Sequence, residues 1–171
     1  MVRKASENLM MSLLYLKAFS PEQCDKIIRY SQSLANTPAE LNYGDVDYSK
    51  RKSIIKTLEV NESTTWIFDR MLSVMLHVDQ KYFNFDVKSI EKLQYLEYTE
   101  GDHFHWHMDE GASPPFSMRK ITGIVFLSGP EDYQGGELEI IPVDKNKTPA
   151  EKGFMVVFPS FKTHRVAPVK K

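Results

Sequence analysis

The first third of the chain joins a short apolar run to a segment of helical character. Residues 12–18 are mostly apolar and predict a strand. A helix is predicted directly after it, because Ser20 can cap a helix, Pro21 suits the first helical position and Gln23 completes a capping box. Its apolar positions continue to about Leu34. The pattern therefore predicts a strand followed by a capped helix.

A second helix is predicted from about Glu62 to Gln80, where apolar residues recur at helical spacing. His77 falls on the polar side of this helix and is expected to face solvent. Between the two helices, residues 36–50 are rich in Asn, Pro, Gly, Asp and Tyr and predict a loop, followed by a strand over 53–59.

Beyond residue 85 the pattern changes to short apolar runs separated by turn residues. Six strands are predicted there: 90–98, 103–109, 120–127, 137–141, 153–158 and 164–169. Two helices followed by many short strands predict an α+β fold whose β part is a sandwich or a jelly roll.

Composition narrows the possible functions. The 171 residues suit one globular domain, and a net charge of −1 gives no surface field for tracking nucleic acid. The single cysteine, Cys24, cannot form an internal disulfide, which favours a reduced, cytoplasmic setting. No apolar run approaches the ~20 residues that a membrane span requires. We therefore expect neither a nucleic-acid nor a membrane partner.

Candidate chemistry centres on His107-Met108-Asp109. On a strand, residues two apart share a face with Cα atoms roughly 6.6 Å apart, so imidazole and carboxylate can converge on one metal ion. His164 is the only later histidine and is the candidate third ligand. Two histidines and one carboxylate leave coordination positions open, as Fe(II) oxygenases require. The same regular strand would place His103 and His105 on the face of His107, and Trp106 and Met108 in the core.

Three sequence blocks surround these residues. The first is Y-x-x-G-x-x-F-x-x-H-x-D over 98–109, the second is Y-x-G-G-E-L over 133–138, and the third is F-P-S followed by H-R-V-x-P-V over 158–169. In order and spacing they resemble the prolyl 4-hydroxylase-like family of Fe(II)/2-oxoglutarate dioxygenases. The helix start at 19–22 and Arg51-x-Ser53 resemble its bacterial and phage branch.

The resemblance implies an architecture. It implies a double-stranded β-helix (jelly roll) with N-terminal supporting helices, in one domain over residues 1–171. Residues 1–85 would be the helical support region and residues 86–171 the jelly-roll core, and whether its last strand is included stays open.

The resemblance also implies a reaction. Fe(II), 2-oxoglutarate and O₂ would be used, with ascorbate as a further cofactor, and succinate and CO₂ would leave as a C–H bond is hydroxylated. The implied metal ligands are His107, Asp109 and His164, and Asp109 favours hydroxylation over halogenation. A prolyl residue in a protein or peptide is the expected substrate. A free amino acid or other small molecule is the alternative, and so is an inactive jelly-roll binding module.

The basic residue that would pair with the 5-carboxylate of 2-oxoglutarate departs from the family. Relatives place an Arg or Lys nine to ten residues after the distal histidine, whereas this sequence ends at Lys171. Lys170 is the predicted anchor, and Arg119 and Lys120 are the alternative candidates.

Two further contacts with 2-oxoglutarate are predicted, from Tyr98 and from Thr122. Phe126 stands where some relatives carry a tyrosine, and its side chain cannot donate a hydrogen bond to the carboxylate. Arg51 and the loop over 43–48 are either a substrate lid or a solvated surface.

Overall fold

The computed structural model describes residues 13–37, 46–141 and 150–171. Two α-helices are described, α1 (Pro21–Gln32) and α2 (Thr65–Val78). The described strands are β1 (Leu14–Lys17), β2 (Arg51–Lys52), β3 (Ile54–Leu58), β4 (Leu93–Glu97), β5 (His103–His107), β6 (Ile121–Val125), β7 (Leu138–Ile140), β8 (Phe154–Pro159) and β9 (His164–Val166). Each predicted helix and strand is present, with ends shifted by a few residues. Within the predicted loop 36–50, residues 38–45 lie outside the described part of the chain.

Helix α1 begins as its sequence predicts. The Gln23 backbone N–H donates to Ser20 Oγ at 3.3 Å, and the Ser20 backbone N–H donates to Gln23 Oε1 at 2.8 Å. These two bonds satisfy N–H groups that the first turn of a helix leaves without partners. The capping box is therefore confirmed.

Helix α2 continues into a single π-helical turn, Asp79–Phe83, that ends at Asn84 in the left-handed conformation. The buried Asp79 carboxylate accepts the backbone N–H groups of Phe85 and Val87, which fixes the chain where it turns towards β4. His77 is exposed on α2, as predicted. Within the described residues, neither α-helix has the length and apolarity needed to cross a lipid bilayer.

The strands form three antiparallel sheets. A three-stranded sheet has the order β1-β8-β6, a four-stranded sheet has the order β2-β5-β9-β7, and β3 pairs with β4. Because β1 pairs with β8 and β2 pairs with β5, the N-terminal region contributes strands to both larger sheets. Residues 1–85 are therefore more than the predicted helical support region, because strands from this region belong to the same sheets as strands of residues 86–171.

Strand β8 lies between two apolar clusters. Met155 and Val157 face the helices, where they pack with residues such as Met75 and Val78. The alternate residues, Val156 and Phe158, pack with Leu138 and Ile140 of the four-stranded sheet. Burial on both faces explains why the strand reads as an unbroken apolar run. The β6–β8 sheet thus has one face towards the helices and one towards the four-stranded sheet.

A β-bulge in β5 breaks its regular alternation. Phe104 pairs with Val166 and His107 pairs with His164, so three steps along β5 oppose two steps along β9. The extra residue puts Phe104 and His107 on one face, and their rings stack with centroids 3.5 Å apart. His103 pairs with Lys52 on the opposite face. The prediction that His103 shares the face of His107 is therefore wrong.

The outer face of the four-stranded sheet is open to solvent. Trp106 is 37% exposed and Met108 is 48% exposed, so the prediction that both lie in the core is wrong. The Trp106 ring packs against the Arg165 guanidinium, with 4.6 Å between ring centroid and Cζ. A regular alternation reports which residues share a face, and it does not report whether a second layer covers that face.

Candidate metal centre

Three side chains converge at the end of β5. His107 closes β5, Asp109 follows two residues later, and His164 opens β9 directly opposite His107. One ligand atom from each residue lies within 4.8 Å of the others. His164 is buried, while the side chains of His107 and Asp109 are 20% and 25% exposed. The structure therefore brings together the three residues that the sequence predicts as metal ligands.

Backbone carbonyls fix the orientation of both imidazole rings. His107 Nδ1 lies 2.7 Å from the His105 carbonyl oxygen, and His164 Nδ1 lies 3.0 Å from the Lys162 carbonyl oxygen. Because a carbonyl oxygen only accepts, each Nδ1 carries the hydrogen and each Nε2 keeps its lone pair. His107 Nε2 is 3.7 Å from Asp109 Oδ1, and His164 Nε2 is 3.6 Å from Asp109 Oδ2. Both rings thus present a ligand nitrogen towards the carboxylate.

The His107 ring is neutral at physiological pH. Burial and the neighbouring His164 lower the pKa of His107 to about 4, against the smaller opposing effects of its carbonyl partner and Asp109. A neutral imidazole is the form that binds a metal ion. The site does not have to release a proton from His107 before a cation enters.

Asp109 is held by the strand that faces it and by the turn before β9. Thr122 Oγ1, on β6, donates to Asp109 Oδ2 at 2.6 Å. The Asp109 backbone N–H donates to the carbonyl of Ser160 at 3.1 Å. The carboxylate therefore stays next to the two histidines although it lies beyond the end of β5.

A buried arginine lies beside the three residues. Arg51 pairs with Phe104 across β2 and β5, and its guanidinium lies 4.4 Å from the Phe104 ring centroid. Arg51 is 6% exposed, and burial lowers its pKa, while Tyr98 and the Asp109 charge act in the opposite direction. The sequence predicts Arg51 in a substrate lid or on a solvated surface, whereas the pairing of β2 with β5 buries it, and that pairing cannot be deduced from the residues around it.

Tyr98 carries a buried hydroxyl near this arginine. Burial raises the pKa of Tyr98, and the Arg51 charge partly offsets that rise. The Ser53 hydroxyl lies close to the Tyr98 hydroxyl and also offsets that rise, and among the described residues no well-formed hydrogen bond satisfies either hydroxyl. A buried hydroxyl without a partner is costly, so a polar group from a ligand would be favoured there.

Thr122 and Lys170 are the other predicted contacts of 2-oxoglutarate. Thr122 Oγ1 contacts Asp109 and Ser160, so Thr122 lies next to a predicted metal ligand. Lys170 has an exposed side chain, and its backbone N–H donates to the Gln134 carbonyl at 2.7 Å. None of the described contacts of Lys170 joins it to the three ligand residues, because the chain beyond β9 turns onto the Gly135 turn.

The suggested substitutes for that anchor are engaged in surface ion pairs. Arg119 forms two hydrogen bonds with the Glu91 carboxylate, at 2.7 and 2.9 Å. Lys120 pairs with Glu110 at 2.8 Å and also donates to the Ser117 carbonyl. Arg119 stays close to the site, with its Nη1 3.4 Å from the Asp109 carbonyl oxygen. Both residues brace the segment that follows Asp109.

The donor set fits Fe(II). Two imidazole nitrogens and one carboxylate oxygen on one side of an ion are the ligands of non-haem Fe(II) oxygenases, and they leave positions open for further ligands. The hydrogen bonds from each Nδ1 to a carbonyl are the outer contacts that orient metal-binding histidines.

Comparison with known proteins agrees with this geometry. Residues 93–171 match the 2OG-Fe(II) oxygenase superfamily model. A PKHD-type hydroxylase of Pseudomonas fluorescens is 38% identical over 82 residues, which cover 43% of this chain and 35% of that relative. The chain thus spans only about a third of the length of this curated relative.

Two solved structures share the fold of this chain. A Pseudomonas putida prolyl-4-hydroxylase has a TM-score of 0.73 at 16% identity, covering 96% of this chain and 89% of its own. A Trichoplax adhaerens prolyl hydroxylase, in complex with a hypoxia inducible factor peptide fragment, has a TM-score of 0.75 at 16% identity, and the match covers 95% of this chain and 80% of that one. Residues 93–171, which match the 2OG-Fe(II) oxygenase superfamily model, are the part of the chain that carries His107, Asp109 and His164.

Proposed function

We propose that this protein is an Fe(II)- and 2-oxoglutarate-dependent dioxygenase in which His107, Asp109 and His164 hold the metal. The convergence of these three ligand atoms within 4.8 Å carries the proposal. Fe(II) held there would, with 2-oxoglutarate and O₂, supply the chemistry that hydroxylates an unactivated C–H bond, one oxygen atom of O₂ entering the substrate and the other entering succinate as CO₂ is released. The protein contributes two oriented imidazoles and a fixed carboxylate.

We propose that Tyr98 contacts 2-oxoglutarate. Its buried hydroxyl makes no well-formed hydrogen bond among the described residues and has only the Ser53 hydroxyl close by, which supports a hydrogen bond to a ligand oxygen. The Arg51 guanidinium lies beside it and gives this side of the site a positive potential that suits a dianion. Phe126 packs into the apolar cluster on the inner face and supplies no polar contact.

We propose that the two larger sheets are the two faces of a double-stranded β-helix. They enclose the cluster formed by Leu138, Ile140, Val156 and Phe158, and they place the three ligand residues at one end of that cluster. The shared fold with two prolyl hydroxylases supports this reading.

For the substrate, we propose a prolyl residue in a peptide or protein. The support is the fold shared with two prolyl hydroxylases, one of them solved with a peptide. A free amino acid is the alternative. The cytoplasmic setting and the use of ascorbate stay predictions from the sequence.

The test is mass spectrometry of proline-containing peptides and of free proline after incubation with the protein, Fe(II), 2-oxoglutarate and ascorbate in air. A gain of one oxygen atom on the peptide supports the proposal, whereas a gain only on free proline supports the small-molecule alternative. His107→Ala is the matched control, and with this variant neither the peptide nor free proline should gain an oxygen atom. Oxygen transfer that continues at the same rate in this variant would rule out the assigned metal site.

A further inference from the structure

Thr122 and Ser160 form a hydrogen-bonded chain that ends on the Asp109 carboxylate. Thr122 pairs with Phe158 across β6 and β8, so its side chain points to the inner face where the three ligand residues lie. Thr122 Oγ1 is 2.6 Å from Asp109 Oδ2 and 3.1 Å from Ser160 Oγ. Asp109 is therefore approached from the sheet opposite the one that carries His107 and His164.

The direction of the chain follows from the number of hydrogens. An ionised carboxylate only accepts hydrogen bonds, so Thr122 gives its one hydroxyl hydrogen to Asp109. The hydrogen between Thr122 and Ser160 must then come from Ser160. In such a chain each hydrogen bond polarises the next. The bond from Ser160 to Thr122 therefore strengthens the bond from Thr122 to the charged Asp109 carboxylate.

The backbone of Ser160 fixes the same carboxylate-bearing segment. Its carbonyl accepts the N–H groups of Asp109 and Glu110 at 3.1 and 3.2 Å, and its own N–H donates to the Lys120 carbonyl at 3.0 Å. Ser160 is 1% exposed and precedes His164 by four residues. One buried residue thus ties the end of β5 to the start of β6 and to the turn into β9.

We propose that Thr122 and Ser160 are positioning residues that set the orientation of the Asp109 carboxylate for metal binding. This inference rests on the proposed function, because it requires the three ligand residues to be a metal site. Asp109 lies beyond the end of β5, and the Ser160 carbonyl holds its backbone there. The Thr122 hydroxyl holds its side chain, so the carboxylate is already in place when a cation arrives.

The experiment is a titration of the full chain with Co(II), followed by the visible absorption of the bound ion. Thr122→Val keeps the shape of the side chain and removes the donor, and it should weaken Co(II) binding by about 10- to 100-fold. Thr122→Ser keeps the hydroxyl and should bind close to wild type. The matched control is Thr57→Val on β3, which should leave binding unchanged. The Co(II) absorption bands should also change in Thr122→Val, since they report the orientation of the carboxylate.

Equal Co(II) affinity and equal spectra for wild type and Thr122→Val would overturn the inference while leaving the metal site standing. If the wild-type chain binds no Co(II), the proposed function and the inference both fail. If Thr122→Val does not fold, Ser160→Ala decides: a smaller loss of affinity, about fivefold for one neutral hydrogen bond, supports the chain. Unchanged binding in Ser160→Ala would then overturn it.

Discussion

His107 is prepared for metal binding by its immediate surroundings. The His105 carbonyl holds the hydrogen on Nδ1, and burial together with His164 keeps the ring neutral down to a pH of about 4. The Phe104 ring lies flat against one side of the imidazole, which limits its rotation. The ligand therefore has its protonation state, tautomer and orientation set before any cation binds.

The lowered pKa of His107 predicts a pH-dependent stability for the metal-free protein. In the unfolded chain His107 takes up a proton near its ordinary pKa of 6.5, whereas in the folded protein it stays neutral to about 4. Between these values protons favour the unfolded state, so the free energy of unfolding should fall by about 1 kcal/mol for each unit that the pH is lowered. Urea unfolding of metal-free protein at several pH values measures this slope.

The control for this slope separates His107 from the other histidines. His107→Gln should flatten the dependence between pH 6.5 and 4, whereas His77→Gln on the exposed side of α2 should keep it. An unchanged slope in His107→Gln would show that the His107 ring is not kept neutral by its burial.

At this scale, a sequence motif predicts the metal ligands, and strand pairing determines which residues lie next to them. His107, Asp109 and His164 are predictable because they are spaced as a known site requires. The contacts of Arg51 with Phe104 and of Thr122 with Asp109 depend on which strands pair and in which register. Those registers are set by packing across the sheets, and the sequence around each residue does not encode them locally.

Among the elements, β5 shows where sequence periodicity fails. Alternation correctly predicts a strand, but the bulge opposite Arg165 changes which residues share a face. Phe104 thereby joins His107 inside, and Trp106 stays outside on Arg165. A bulge is a property of two paired strands, so one strand read alone gives no sign of it.

The start of β8 depends on Gly153. Its φ of +87° is in the left-handed region, and a Cβ atom there would lie 2.2 Å from the Phe19 carbonyl oxygen. The Gly153 carbonyl also accepts the N–H groups of Ala18 and Phe19, which joins β1 to β8. Gly153→Ala should therefore lower the free energy of unfolding by on the order of 3 kcal/mol, from backbone strain plus steric overlap.

Gly101→Ala is the matched comparison. Gly101 has a φ of +82° but open space around its Cα, with Lys52 Nζ at 4.0 Å from the added Cβ as the nearest atom. Gly101→Ala should lower the free energy of unfolding by about 1–2 kcal/mol, from backbone strain alone. Urea unfolding of Gly153→Ala and Gly101→Ala measures how much free energy of unfolding each variant loses. Equal losses would mean that the close approach of Phe19 to Gly153 adds nothing to the cost of the substitution.

For the molecule as a whole, the order of elements along the chain predicts the fold class. It does not predict which strands the N-terminal region contributes to each sheet. Strands of the N-terminal region complete both larger sheets, because β1 pairs with β8 and β2 pairs with β5. Pairing of this kind joins residues more than 50 positions apart, which local patterns cannot show. The same pairing carries Arg51 to the metal centre.

The site therefore depends on the whole described chain. The matched family segment, residues 93–171, supplies the three ligand residues. The N-terminal region supplies Arg51, and its helices pack on the sheet that carries Thr122. The N-terminal region therefore contributes to the burial and to the charge of the candidate metal centre.

The most direct measurement is the formation of succinate from 2-oxoglutarate in air with Fe(II), comparing the wild-type chain with His107→Ala. We predict succinate from the wild-type chain and a fall to the rate of free Fe(II) in the variant, since loss of one imidazole leaves too few ligands to hold the ion. Equal rates of succinate formation from the two proteins would contradict the assignment of His107, Asp109 and His164 as the metal centre.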